Sequence, residues 1–208
     1  MNALLKDVQA KTAARRMYNE LKSKEFIELE NISKVVMIKD VQKELGGMWF
    51  LNNDITRFNT SAQPFVNLKT KRKGINFKGI NKKRIPTWHT HPYTSGWWPT
   101  PEDLRVYTKP HLIFTKYGTW VVYKNNSNVS HHPNVQRFAT EGLDRFLREM
   151  YMEQYEHDPK LFEKKMERCI YEIGRFADAI LPYGVILRFF RDTKEAVKYA
   201  KSVLRNIS

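Results

Sequence analysis

The apolar residues of this chain change their spacing twice. Over residues 3–24 they fall at Leu4, Leu5, Val8, Ala14, Met17, Tyr18 and Leu21. That spacing gives one apolar stripe and predicts an amphipathic helix. From about residue 31 the runs shorten. KVVMIK (34–39) is short and β-branched and predicts a strand, and GMWFLN (47–52) predicts a second after the break at Gly46-Gly47. FVNLKTK (65–71) and GINFKGI (74–80) alternate apolar and polar residues and predict two strands joined by a basic turn. RIPTWH (84–89), HLIFTK (111–116) and TWVVYK (119–124) predict three more, the last two meeting at a Tyr117-Gly118 turn. Beyond residue 130 helical spacing returns. Val135, Phe138, Ala139, Leu143, Phe146, Leu147, Met150 and Tyr151 form one stripe. Leu161, Phe162, Met166, Cys169, Ile170, Ile173 and Ala177 form another, after the breaker His157-Asp158-Pro159. Leu181-Pro182-Tyr183-Gly184 interrupts, and a last helix runs from about 194 to 204. The sum is an α+β chain. It has an N-terminal helix within 1–30, a strand-rich core over 31–128 and a helical extension over 129–208.

Composition narrows this picture. The chain has 208 residues, 41% hydrophobic and 28% charged, which supports a sizeable core under a well-solvated surface. Its one cysteine, Cys169, excludes an internal disulfide and every cysteine-rich zinc finger. It also fits a reducing, cytoplasmic setting, and its place beside Met166 and Ile173 on a helical stripe reads as core. No apolar run approaches the ~20 residues of a membrane-spanning helix. The first 25 residues lack the apolar block of a secretory signal. Asp7, Glu20 and Glu25 argue against a transit peptide despite Arg15 and Arg16. The lysine- and asparagine-rich composition suggests an AT-rich genome of viral, phage or organellar origin.

The net charge of +14 is unevenly placed, with no Asp or Glu from Ile55 to Pro101. Lys69, Lys71, Arg72, Lys73, Lys78, Lys82, Lys83 and Arg84 cluster inside that span. Such a cluster is either a patch for nucleic acid or an acidic partner, or a solvated lysine-rich loop.

The chemistry concentrates in WHTHPYTSGWWPTPED (88–103). In a strand, residues i and i+2 share a face, so His89 and His91 project side by side with Thr90 facing away. Pro92 cannot donate to a ladder and should end the strand. Thr100 and Pro101 suit a helix N-cap and first helical position, with Asp103 three residues after the cap. Asp103 reads either as a capping carboxylate or, beside two imidazoles, as the third member of a His₂-carboxylate metal set. Trp97 and Trp98 either line a substrate groove or tuck under their loop. His111 precedes a strand and reads as structural, and His131-His132 as solvated loop.

His89-Thr90-His91-Pro92, seven residues, Thr100, two residues, Asp103 resembles the His-x-His-Pro-x7-Ser-x2-Asp signature of the JAMM (MPN-plus) zinc metalloproteases. Glu44, three residues ahead of Gly47 and an apolar run, resembles the family's upstream glutamate. The resemblance covers about residues 31–128. It implies a JAMM/MPN-like (cytidine-deaminase-like) mixed β-sheet flanked by helices, with Zn²⁺ held by His89, His91 and Asp103. It further implies Glu44 as the proton-transferring base and Thr100 as the hydroxyl facing a developing oxyanion. The reaction implied is hydrolysis of a peptide or isopeptide bond in a protein substrate, such as a ubiquitin or ubiquitin-like conjugate. Thr100 stands where the family usually has Ser, and its extra methyl stiffens χ1. Trp88 follows Thr87 where many members carry a Gly-Trp pair. The competing reading is a JAMM-fold accessory subunit of a larger assembly, docking nucleic acid or an acidic partner through the basic span.

Overall fold

The computed structural model describes the chain apart from residues 1, 40–42, 53–54, 61, 67–72, 77–84, 93–95, 105–107, 126–132 and 208. For residues 2–7, 51–52, 55, 63–66 and 73–76 it describes the backbone alone. Lys69, Lys71, Arg72, Lys82, Lys83 and Arg84, with His131 and His132, therefore lie outside the described residues. Of the basic cluster only the backbone of Lys73 is described.

The architecture is a mixed sheet flanked by helices. α1 (Asn2–Ser23) leads through β1 (Phe26–Ile27) into α2 (Leu29–Val36). β2 (Gly46–Asn52) and β3 (Ile55–Asn59) form an antiparallel pair, and β4 (Gln63–Val66) with β5 (Lys73–Asn76) a separate antiparallel pair. β6 (Thr87–Thr90), β7 (His111–Thr115) and β8 (Gly118–Lys124) follow. The C-terminal part contains α3 (Pro133–Arg137), a π-helical stretch (Phe138–Asp144), α4 (Arg145–Glu149) and α5 (Pro159–Ile180). It ends in β9 (Val185–Phe190) and α6 (Thr193–Asn206). The main sheet has seven strands in the order β1-β3-β2-β6-β7-β8-β9. β6 and β7 pair in parallel; the other pairs are antiparallel. No described helix is long and apolar enough to cross a membrane.

Period two sorts the sheet's side chains onto two cores. One face carries Trp49, Phe58, Trp88, Leu112, Phe114 and Val121, covered by α1, α2 and α6 through Tyr18, Ile32, Val35 and Ala200. The other carries Ile113, Trp120, Val122, Val185 and Leu187, covered by the C-terminal helices through Leu147, Met166, Cys169 and Ile173. Cys169 is thus core, fully buried. Each fully buried apolar side chain of this kind contributes on the order of 1.5–3 kcal/mol. The tryptophans at the centre also satisfy their indole N–H. Trp49 donates to the Pro110 carbonyl (3.0 Å), Trp88 to that of Asn59 (2.8 Å) and Trp120 to that of Trp97 (2.7 Å).

Several sequence expectations need correction. KVVMIK is not a strand: its first three residues end α2. Ile32, Val35 and Val36 fall at i, i+3 and i+4 and bury one face of that helix, so burial of a helical stripe overrides β-branched propensity. The helix expected from Pro101 is a hydrogen-bonded turn over 101–104. The boundary at 128 does not divide the sheet, because β9 pairs with β8 along its whole length, Thr119 opposite Phe190 to Lys124 opposite Val185. The 135–150 stripe is helical but locally wide. Its buried residues Val135, Ala139, Leu143 and Leu147 recur every four positions, with Met150 three further on. In an α-helix that spacing drifts by about 40° per step, and the π-helical stretch absorbs the drift.

Candidate metal centre

The parallel β6–β7 pair creates the site. A crossover must leave the C-terminal end of β6 and return to the start of β7, and ligand sites favour such strand ends. His89 lies within β6, and His91 continues the pairing by donating its backbone N–H to the Phe114 carbonyl (2.8 Å). Both rings are buried, and Asp103 comes back to them from the crossover. Asp103 Oδ1 stands 3.5 Å from His89 Nε2 and Oδ2 3.6 Å from His91 Nε2. The ligating atoms of the three residues lie within 4.8 Å of one another. A tetrahedral ion with bonds of 2.0–2.1 Å has donor–donor edges of about 3.4 Å, and each imidazole stands near that distance from one of the two carboxylate oxygens. His89, His91 and Asp103 could therefore hold a metal ion.

The capping role of Asp103 leaves its carboxylate beside the two rings. Oδ2 accepts from the Thr100 backbone N–H (2.7 Å) and from its hydroxyl (2.8 Å), while the Asp103 N–H donates to the Thr100 carbonyl (3.0 Å). The capping turn thus aims the carboxylate at the rings. Burial works against the charge of Asp103. The facing His89, His91 and His111 outweigh it and hold the carboxyl well below the usual carboxylate range. Burial likewise disfavours the imidazolium of His91, yet Asp103, Glu44 and the Gly96 carbonyl together raise its pKa above the ordinary value.

Glu44 joins the group through the neighbouring strand. Gly46 pairs with His89 in the antiparallel β2–β6 ladder. Leu45 and Thr90 exchange hydrogen bonds just beyond it, Thr90 N–H to the Leu45 carbonyl (2.8 Å) and Leu45 N–H to Thr90 Oγ1 (2.9 Å). This sets Glu44 alongside His91. Burial pushes the Glu44 carboxyl up to about 7, with His91 lowering and Asp103 raising it. Tyr18 of α1 donates its hydroxyl to the Glu44 carbonyl (3.0 Å). Gly47 allows the close strand approach, since a Cβ there would lie 2.1 Å from the Asn59 carbonyl oxygen.

The tryptophans of the crossover divide. Trp97 is 5% exposed and packs on Trp120, Phe189 and Tyr117, so it is core, not groove wall. Trp98 is half-buried and donates its indole N–H to Asp144 at the end of the π-helical stretch (2.7 Å). Between them and the site, the Gly96 carbonyl accepts a hydrogen bond from His91 Nδ1 (2.8 Å). The crossover is therefore pinned to the C-terminal helices through Trp98 and to His91 through Gly96.

Sequence reading missed His111. It is fully buried, with Nε2 at 2.7 Å from His89 Nδ1 and Nδ1 at 2.7 Å from Thr87 Oγ1. The parallel register, Thr87 opposite His111, creates this contact. Nothing in the local sequence announces it. No protein-family model, curated protein or solved structure matches this chain.

Proposed function

We propose that this chain is a zinc-dependent hydrolase of the JAMM type, cleaving peptide or isopeptide bonds in a protein substrate. The observation that carries the reading is one buried cluster. His89, His91 and Asp103 converge at the end of β6, and Glu44 is coupled to His91 and Asp103. The residue types and spacing of the signature supply the family, and the convergence of its members in space supports it. Two neutral imidazoles and a carboxylate suit Zn²⁺ and leave a fourth position open. Zinc held there would supply Lewis acidity and acidify a water molecule. The residues do the rest. Glu44, with its carboxyl near neutrality, accepts a proton at its side-chain oxygen and delivers it to the departing amine. His91 stays oriented through the Gly96 carbonyl. Thr100 commits its hydroxyl to Asp103, so the role assigned to it here is holding that ligand, ahead of any contact with an oxyanion.

The test combines zinc content of the purified full chain with cleavage of ubiquitin chains, ubiquitin-like conjugates and an unfolded protein. The expected result is about one zinc per chain, hydrolysis of at least one substrate, and a Glu44→Gln variant that keeps zinc and loses hydrolysis. A zinc-loaded chain that cleaves none of them rejects the hydrolase and leaves the metal centre standing. A chain that takes up no zinc rejects both.

A further inference from the structure

We infer that His111, backed by Thr87, is a positioning residue for His89: it accepts the Nδ1 proton of that ring when Nε2 takes a metal ion. The inference rests on the metal-centre reading and adds residues to it. The two ligand histidines are oriented by different kinds of partner. His91 Nδ1 faces the Gly96 carbonyl at 2.8 Å. A carbonyl only accepts, so that nitrogen holds the proton, and in the neutral ring Nε2 keeps its lone pair toward Asp103. His89 Nδ1 faces another imidazole nitrogen, Nε2 of His111, at 2.7 Å. Two ring nitrogens at that distance share one proton between them. Two protons would collide, and two lone pairs would repel.

The chain Thr87–His111–His89 therefore has two polarities. In one, His89 Nδ1–H donates to His111 Nε2, His111 Nδ1–H donates to Thr87 Oγ1 (2.7 Å), and His89 Nε2 offers a lone pair to the site. In the other, His111 Nε2–H donates to His89 Nδ1, and a neutral His89 then carries its proton on Nε2, where it blocks coordination. Thr87 is fully buried beside His111; its oxygen accepts from His111 Nδ1–H in the first polarity and its O–H donates to Nδ1 in the second, so the chain closes in both and a metal ion on His89 Nε2 selects the first. A metal ion and the Thr87 oxygen thus act at opposite ends of one three-residue chain. Removal of such supporting partners elsewhere lowers metal affinity by roughly 10–100-fold.

The experiment measures zinc affinity by competition with a chromophoric chelator, together with long-range ¹H–¹⁵N spectra that report the tautomer of each buried imidazole. In the zinc-loaded wild type, His111 is expected protonated at Nδ1 and bare at Nε2. His111→Leu should bind zinc roughly 10–100-fold more weakly. His111→Gln, whose side-chain oxygen can accept from His89 Nδ1–H, should recover most of that loss. Thr87→Val keeps the shape of the core and should weaken binding by a smaller factor, covering the case in which His111→Leu does not fold. Zinc-loaded wild type with the His111 proton on Nε2 overturns the inference. So does His111→Leu or Thr87→Val at full affinity, or His111→Gln no better than His111→Leu. A wild type that binds no zinc overturns the metal centre itself, which separates the two failures.

Discussion

One face of the sheet has two halves of opposite chemistry. On β8 and β9 it presents Trp120, Val122, Val185 and Leu187, sealed by the C-terminal helices. On β6 and the start of β7 the same face presents Thr87, His89 and His111, equally buried. The strand period and the burial are the same; only the residue types differ. The apolar half needs mainly shape, with the Trp120 indole N–H satisfied by the Trp97 carbonyl. The polar half must match donor to acceptor at every atom, since a buried unpaired polar group costs on the order of 1–3 kcal/mol. A sheet built only for stability would extend the apolar half across β6. That it does not agrees with the proposed site, since local rules are commonly broken where function requires it.

Breaking the apolar half should have the largest effect on folding. Trp120→Ala removes a fully buried ring and the hydrogen bond that ties the crossover to the sheet. It should cost about 3–5 kcal/mol, read from urea unfolding of the chelator-treated chain. Glu44→Gln should leave that stability near wild type at pH 5 and raise it at pH 8, where ionised Glu44 opposes folding; it should keep the zinc content, yet lower hydrolysis by about 10²–10⁴-fold, seen in initial rates.

Converting the polar half into the apolar kind sharpens the contrast. The quadruple variant Thr87→Val, His89→Leu, His111→Leu, Asp103→Asn removes both partners of the Thr87–His111 and His111–His89 hydrogen bonds at once, together with the carboxylate charge those rings face. Such replacement is nearly neutral or stabilising, so the variant should fold within about 1 kcal/mol of the metal-free wild type and bind no zinc. Strong destabilisation would show that the chain serves the fold.

The polar half also makes metal-free stability depend on pH. With the Glu44 carboxyl raised from 4.5 to about 7, ionising it opposes folding, and that penalty grows between those values. His91 is raised above 6.5, so the stability from its protonation is present below 6.5 and lost as pH rises through the higher value. Asp103, lowered from 3.8, is already ionised throughout that window. The chelator-treated chain should therefore lose stability from about pH 5 to about pH 8. Denaturation midpoints across that range check the sign; a rise would contradict it.

The smallest effect belongs to the link between the halves. Trp98→Phe keeps the ring and removes the N–H given to Asp144. It should cost about 1 kcal/mol and weaken zinc binding slightly, both measurable by titration.

These contrasts also explain what the sequence disclosed. His89, His91 and Asp103 were legible because a strand turn and a capping turn place them by local rules. Glu44 was legible as part of a spacing, and its approach to His91 follows from ladder register. His111 was invisible because its partner lies 22 residues away across a parallel pairing that no local pattern encodes. β9 was hidden for a related reason: VILRFF is six residues between helices, and only its pairing with β8 makes it part of the core. For Trp97 the sequence left groove wall and tucked ring open, because nothing local says that its loop is drawn into the core by Trp120 and Phe189.

The most direct measurement is zinc-edge anomalous diffraction from crystals of the full chain, paired with zinc content of Asp103→Ala. The account predicts a single anomalous peak about 2.0–2.1 Å from His89 Nε2 and His91 Nε2, with Asp103 as the third ligand and zinc lost in the variant. A peak elsewhere, or full zinc retained without the Asp103 carboxylate, would contradict it.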